Sequence, residues 1–258
     1  MSPAARRVIF LFALVIMAPA ARLVAHSMPT FGAATSRYAS TVNELAPRLR
    51  HVSNMVAAVN FDIRGFDTLA EETMLLCAVV GAVILLRGSR GERDSDKAGV
   101  LPGRADIARS DATTLVCRVG GTALLLFGAY VALHGTVTPG GGFQGGVIAS
   151  SALLLLYLGE GYRCWRNLIH SAVLAAFEGV GALVFVLAAA WPLAQGHPAL
   201  DNLLPLGKFK DLYSGGAIFL TNCAVGLAVT GSFGQLILEF LEETRSPEDE
   251  SEPNEADT

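Results

Sequence analysis

Six long apolar runs dominate the chain and are separated by more polar segments. They cover residues 8–25, 69–86, 115–133, 143–158, 171–193 and 213–241. A helix that crosses a bilayer needs about 20 mainly apolar residues. An extended segment cannot replace it, because its backbone polar groups would be unpaired in lipid. The pattern therefore predicts an all-α membrane protein with about six transmembrane helices.

Composition agrees with a membrane protein and excludes a soluble enzyme. Charged residues make up only 16% of the chain, against about 25% in soluble domains. No nucleophile–histidine–acid set and no Cys-X-X-Cys pair is found, and the cysteines lie far apart. We therefore expect no enzymatic activity, cofactor, metal site or nucleic-acid partner. The four cysteines are Cys77, Cys117, Cys164 and Cys223.

The positions of Lys and Arg predict the orientation, because cytoplasmic loops carry an excess of positive charge. Basic residues precede the first run and follow the second and fourth runs, which predicts that both termini are cytoplasmic. The segment between the first two runs does not fit, although it is long enough to be translocated despite its arginines. The basic residues that agree with cytoplasmic termini are Arg6, Arg7, Arg87, Arg90, Arg93, Lys97, Arg104, Arg109, Arg163 and Arg166. The arginines that do not agree are Arg37, Arg48, Arg50 and Arg64.

The first apolar run has two interpretations. Two arginines, an apolar run and the sequence Ala18-Pro19-Ala20 also fit a cleaved signal peptide. Cleavage would leave five spans with the amino end outside and would not change the orientation of the other helices. We expect a retained anchor in the cell inner (plasma) membrane.

Polar segments divide the chain into units. A basic, glycine-containing stretch indicates a cytoplasmic linker at 91–112, between a two-helix unit at 1–90 and a four-helix unit at 113–243. Residues 244–258 contain six acids and two prolines, which is typical of a disordered tail. Loosely periodic apolar residues at 35–60 predict one or more amphipathic helices near the membrane surface.

The segment 134–146 interrupts the apolar pattern. It reads HGTVTPGGGFQGG, and consecutive glycines after a proline are poor helix formers. Such a break is tolerated in a membrane where protein or a water-filled cavity satisfies the backbone. The residues of this helix-break motif are Pro139, Gly140, Gly141, Gly142, Phe143, Gln144, Gly145 and Gly146.

Small residues continue beyond the break at a helical spacing. Gly142, Gly146 and Ser150 repeat every four residues and therefore predict a helix face on which another helix packs closely. A phosphate-binding loop is excluded, because no Gly-Lys-Ser/Thr sequence follows the glycines.

The glycine segment resembles the HGxxTPGGGFQGG signature of the MnhB/MrpB subunits of multisubunit Na⁺/H⁺ antiporters. The similarity continues at residues 177–185, 202–207 and 213–216, and at Asn222 with 224–227. The resemblance implies a non-catalytic subunit that contributes to assembly and is a candidate for part of the ion path. Its implied partners are the other Mrp-type subunits and the lipid bilayer, and Na⁺ and H⁺ are the ions that the complex transports.

Residues 60–71 have a second resemblance. They read NFDIRGFDTLAE, which is similar to the (D)(F/Y)RGFDTLGE motif of the MrpA carboxy-terminal region and of the MbhE-like subunit of membrane-bound hydrogenases. Ile63 replaces the usual aromatic residue, Ala70 replaces the usual glycine, and Glu72 adds a charge where the family is usually neutral. A fusion of two adjacent subunits explains why both motifs occur in one chain.

Two other functions remain open. The same module could serve a membrane-bound hydrogenase or another respiratory oxidoreductase complex, with the redox centres in partner subunits. A stand-alone transporter is disfavoured, because no inverted repeat is visible.

Two ionisable residues inside or at the ends of spans are candidates for the ion path or its gating, because such residues are costly in lipid. Glu178 lies in the fifth run and could bind and release protons; its alternative role is a structural hydrogen bond. His134 ends the third run and is a candidate because histidine is the residue type suited to proton relays; its alternative role is packing.

The acids at the start of the second run are also candidates. Asp67 and Glu71 lie close to Asp62 and Glu72, and together these four could attract cations. Alternatively, Asp67 and Glu71 stabilise a helix amino terminus, where Asp67 or Thr68 could cap the helix.

Overall fold

The computed structural model describes residues 3–28, 36–89 and 110–243. Most of the predicted linker at 91–112 and all of the predicted tail at 244–258 lie outside these ranges. Five of the basic residues used for the orientation also lie outside them, namely Arg90, Arg93, Lys97, Arg104 and Arg109. Within the described ranges the chain is helical and contains no strand.

The described residues form eight α-helices and two π-helical turns. The helices are α1 (Pro3–Ser27), α2 (Arg37–Leu45), α3 (Met55–Ala58), α4 (Gly65–Ser89), α5 (Asp111–Leu133), α6 (Gly142–Leu168), α7 (Ser171–Ala194) and α8 (Ala217–Glu243). The π-helical turns are Ala46–Arg50 and Val59–Ile63. Six of the described helices, α1 and α4–α8, are long and apolar enough to cross a membrane, as the apolar runs predict.

The chain divides into two compact units, Met1–Asn43 and Glu44–Thr258. In the first unit, α1 is largely apolar, and its candidate span Ala4–Ser27 buries no residue. Phe10, Phe12 and Met17 are each about two-thirds exposed. This surface fits a lipid environment.

In the second unit α8 is the central helix. It packs against α4, α5, α6 and α7, and 61% of the residues in its most apolar window are buried, against 11% in α4. The predicted small-residue face of α6 is confirmed. Ser150 is 1% exposed, and a Cβ on Gly146 would lie 2.8 Å from Val229 Cβ on α8.

Two predicted helix bounds are wrong. The last span begins at Ala217 and not at residue 213, because residues 213–216 form a turn in which Gly215 and Gly216 have positive φ angles of 92° and 59°. The fourth span ends at Gly161 and not at residue 158, and after a break at Gly161, where φ is 76° and ψ is 170°, α6 continues to Leu168. The polar residues around Gly161 hide this continuation in the hydropathy pattern.

The predicted amphipathic helices at 35–60 exist as short helical segments, but part of this region is buried. Val52 and Ala58 have no exposed surface, and Ala57 is 3% exposed. Backbone N–H groups of Ser53 and Asn54 both donate to Thr136 O, at 3.1 and 3.2 Å. This part of the segment therefore packs against the loop between α5 and α6.

Candidate functional site: a glycine loop and an acidic cavity

The candidate site is built around the glycine loop, residues 134–141, which joins α5 to α6. Gly140 and Gly141 have φ angles of 131° and 154°. Residues other than glycine rarely adopt this backbone conformation. The loop thus needs glycine at these positions, and its backbone carbonyl groups require partners from elsewhere in the chain.

Asn54 supplies partners on one side of the glycine loop. Its Nδ2 group donates to Gly135 O at 2.7 Å, Thr138 O at 3.0 Å and Gly140 O at 3.2 Å. The side chain is 7% exposed, and Ser53 Oγ donates to Val137 O at 2.7 Å. The sequence segment that precedes α3 therefore holds the glycine loop in place.

Asn222 of α8 supplies partners on the other side. Its Oδ1 accepts from Gly142 N at 2.7 Å, and its Nδ2 donates to Ala132 O at 2.6 Å. The side chain has no exposed surface. One amide thus satisfies a carbonyl at the end of α5 and an N–H at the start of α6, the groups that helix ends leave unpaired.

A cavity of about 230 Å³ lies between the glycine loop and the start of α4. Its wall includes the carboxylate-bearing Glu71, the amide residues Asn60 and Gln144, and backbone of the glycine loop. Thr68, which also lines it, donates its hydroxyl to Asn60 O at 2.6 Å and does not cap α4. The lining residues are Val56, Ala57, Asn60, Phe61, Thr68, Glu71, Gly140, Gly141, Gly142, Phe143, Gln144 and Val225.

The four acids near the start of α4 have different surroundings. Asp62 pairs with Arg50 at 2.8 Å, and Asp67 accepts from Arg64 Nε at 2.6 Å. Glu71 is exposed and lines the cavity, whereas Glu72 is buried. Of the acids predicted for the ion path, the structure brings Glu71 next to the glycine loop and pairs Asp67 with an arginine.

Glu178 and His134 lie apart from the cavity wall. Glu178 on α7 is 6% exposed; one carboxylate oxygen accepts from Ser232 Oγ at 2.8 Å, and the other accepts from Gln235 Nε2 of α8. His134 directly follows the last residue of α5. Its Nδ1 lies 3.0 Å from Tyr130 O, and its ring centroid lies 4.0 Å from that of Tyr130. Glu178 thus has the structural hydrogen bonds, and His134 the packing contact, that the sequence offers as alternative roles. The roles of both residues in the ion path or its gating stay predictions.

Sequence reasoning missed the structural role of two residues in this site. Asn54 lies in a segment with no long apolar run, so nothing in the pattern marks it. Asn222 is a polar residue inside the last apolar run, and a buried amide in such a run signals a hydrogen-bonded contact between helices.

Asn54→Ala is expected to loosen the glycine loop. The change removes the donor for three backbone carbonyls, and a buried polar group left without a partner costs about 1–3 kcal/mol. Thermal unfolding of the full chain in detergent should show this loss, and hydrogen–deuterium exchange should increase at residues 134–141. Asn43→Ala, on the exposed face of α2, is the matched control. Equal behaviour of the two variants would contradict the role of Asn54.

The four-helix part of the chain carries the family resemblance. Residues 112–235, which cover α5, the glycine loop, α6, α7 and most of α8, match the family model described as a domain related to the MnhB subunit of Na⁺/H⁺ antiporters. We call residues 112–235 the MnhB-related domain after this match. Asn222, Glu178 and the glycine loop all lie within it, whereas Asn54 and Glu71 lie outside it.

Two relatives extend the comparison. An uncharacterized protein of Methanocaldococcus jannaschii is 28% identical over 204 residues, which cover 73% of this chain and 77% of the relative. A Na⁺/H⁺ antiporter subunit of the B type, from Bacillus subtilis, is 37% identical over 89 residues, which cover 31% of this chain and 59% of the relative. The chain therefore matches little more than half of this antiporter subunit.

Two solved complexes contain chains of similar structure. A chain of the membrane-bound sulfane sulfur reductase, an archaeal respiratory membrane complex, is 25% identical with a TM-score of 0.70; the match covers 92% of this chain and 98% of that chain. A chain of the Mrp complex from Dietzia sp. DQ12-45-1b has a TM-score of 0.70 at 22% identity, covering 98% of this chain and 27% of that chain. The second likeness concerns the fold alone.

Proposed function

We propose that this chain is a non-catalytic membrane subunit of a multisubunit antiporter that exchanges a monovalent cation, Na⁺, for protons. It contributes to assembly and to the ion path. Its six long helices cross the cell inner membrane with both termini in the cytoplasm, and the other Mrp-type subunits are its partners.

The MnhB-related domain at residues 112–235 is the observation that carries this proposal. The fit between the two predicted units supports it further. Asn54 precedes the motif that is similar to MrpA, yet it binds three carbonyls of the glycine loop in the MnhB-related domain. In this proposal, residues 1–90 and 113–243 are two neighbouring subunits of the antiporter joined in one chain.

Purification of the tagged full chain in mild detergent tests the proposal. We expect Mrp-type subunits to copurify, identified by mass spectrometry, and Na⁺-dependent proton exchange after the recovered complex is reconstituted into vesicles. A chain that purifies alone, well folded and in good yield, would contradict a subunit role and favour a stand-alone transporter.

A respiratory complex is the second candidate. The match to a chain of the sulfane sulfur reductase complex covers 98% of that chain at 25% identity, so a chain of this fold and length occurs beside redox subunits. In this case the chain would still be non-catalytic, and the redox centres would belong to its partners. Copurification of iron–sulfur or nickel–iron subunits would favour this second function.

Within the antiporter, we propose that the cavity beside the glycine loop is part of the ion path. Glu71 places a negative charge on the cavity wall, and this charge attracts a cation from solution. The amide oxygen of Gln144 and the hydroxyl of Thr68 add polar surface inside an otherwise apolar membrane region. Glu178 and His134 lie outside this wall and are further candidates for the ion path or its gating.

Glu71→Gln is expected to weaken cation uptake. A carboxylate and a cation 4 Å apart attract each other by about 1–4 kcal/mol, and the glutamine variant loses this attraction. The Na⁺ concentration for half-maximal exchange should therefore rise on the order of tenfold. The measurement is Na⁺-dependent collapse of a proton gradient in vesicles that contain the intact complex. The control is Glu44→Gln, because Glu44 is an exposed acid paired with Arg48. An unchanged Na⁺ response in Glu71→Gln would remove Glu71 from the ion path.

A further inference from the structure

Glu72 is a buried acid that the proposed ion path does not use. It lies seven residues into α4, about 10 Å along the helix from Gly65, and is 6% exposed. Its Oε1 atom has no hydrogen-bond partner among the described residues. A charged, unpaired carboxylate in such a position is costly, and such groups are neutralised or paired.

The surroundings of Glu72 contain negative charge. Glu71, on the same helix, and Glu178 of α7 are the charged groups that act on it. The other elements packed against α4 are the π-helical turn Val59–Ile63, whose Asp62 is paired with Arg50, and α8, which carries Cys223 and Glu239. Among the described residues, no arginine, lysine or histidine forms an ion pair with Glu72.

Glu72 and Glu178 therefore have different environments although both are buried. Glu178 accepts hydrogen bonds at both carboxylate oxygens, from Ser232 and Gln235. Glu72 receives no such bond at Oε1 and has two acids near it. A buried carboxyl group without such bonds is less costly in its neutral, protonated form.

Glu72 lies next to residues that line the cavity. Glu71, the preceding residue, and Thr68 both line it, and residues four apart lie on the same face of a helix. Glu72 is thus one helical turn from Thr68 on that face. The cavity, at about 230 Å³, exceeds the roughly 10–15 Å³ that one water molecule needs, so water can bring protons as far as Thr68, one turn from Glu72.

We propose that Glu72 is a membrane-embedded proton-binding site that exchanges its proton with the water of the cavity beside Glu71. On uptake, a proton leaves a hydronium ion in the cavity and forms an O–H bond at the Glu72 carboxylate; on release, that bond breaks and the proton returns to water. The proposed ligand is a proton, because a proton neutralises a buried carboxylate that has no other partner at Oε1. This proposal does not require that the complex exchanges Na⁺.

Infrared difference spectroscopy on the full chain in lipid nanodiscs at neutral pH tests the site. The spectrum of wild type minus Glu72→Gln should contain the carbonyl stretch of a protonated carboxylic acid, and this band should move to lower frequency in deuterium oxide. Carboxylate stretches in its place would overturn the proposal, as would a carbonyl band that deuterium oxide does not move. Replacing Na⁺ by choline should leave the band unchanged, whereas its conversion to carboxylate bands by added Na⁺ would assign the site to a cation.

Two further measurements keep this test decisive. Glu71→Gln is the matched control, because the difference spectrum for this exposed neighbour should show carboxylate stretches. Wild-type chain with ¹³C-labelled glutamate carboxyl groups reports the protonated acid without any substitution, so the result does not depend on how well Glu72→Gln folds. Absence of a protonated glutamate band in the labelled wild type would overturn the proposal.

Discussion

Gly142→Ala is expected to disrupt the contact between α6 and α8 and to prevent normal folding of the MnhB-related domain. A Cβ at this position would lie 2.0 Å from Asn222 O and 2.7 Å from Gly226 N, both backbone atoms of α8. Backbone atoms cannot move aside as a flexible side chain can, so the two helices must separate. Overpacking costs about 1–3 kcal/mol and occasionally more, and we expect a loss at the upper end, measured as thermal unfolding of the purified chain.

The matched control for this change is Gly179→Ala. Gly179 is also a glycine within a membrane-spanning helix, but a Cβ there would meet no atom within 4 Å, and alanine favours a helix by about 1 kcal/mol over glycine. Gly179→Ala should therefore be neutral or slightly stabilising. If both variants unfolded at the same temperature as the wild type, the close approach of α6 and α8 at Gly142 would be contradicted.

The spans are predictable because lipid imposes a simple rule on them. A run of about 20 apolar residues has one stable conformation in a bilayer, so the positions of α4, α5 and α7 follow from hydropathy alone. The ends are less predictable, because they depend on local polar contacts. The apolar pattern predicts a last span from residue 213, yet α8 begins at Ala217, after two glycines with positive φ angles.

The candidate site is predictable in its residue types and unpredictable in its contacts. The glycine segment indicates an irregular backbone, and Glu71 follows from the motif at the start of α4. The pairing of Asn54 with carbonyls more than 80 residues away leaves no periodic signal, because it depends on how the segment before α3 packs against the glycine loop. For the same reason the sequence marks Glu178 as a costly acid but does not name Ser232 and Gln235 as its partners.

The hydrogen bonds of Asn222 make Asn222→Asp the most informative substitution of a polar side chain in this chain. Asn222 Nδ2 donates to Ala132 O and Oδ1 accepts from Gly142 N. Aspartate has nearly the same shape and keeps an oxygen for Gly142, but it replaces the donor that faces Ala132 by a second oxygen. The variant therefore tests the direction of one hydrogen bond rather than the size of the side chain.

We expect Asn222→Asp to reduce the free energy of unfolding by about 3 kcal/mol, because the Ala132 carbonyl loses its buried donor and faces another acceptor. Lowering the pH should restore part of this loss, since a protonated aspartate can donate to Ala132 O again. Thermal unfolding of the full chain at several pH values measures both effects, with Asn43→Asp on exposed α2 as the control. Equal stability of Asn222→Asp and wild type at neutral pH would mean that the link between the ends of α5 and α6 does not depend on this amide. If low pH restores the stability of Asn222→Asp as expected, one proton at position 222 controls whether the glycine loop is held against α8.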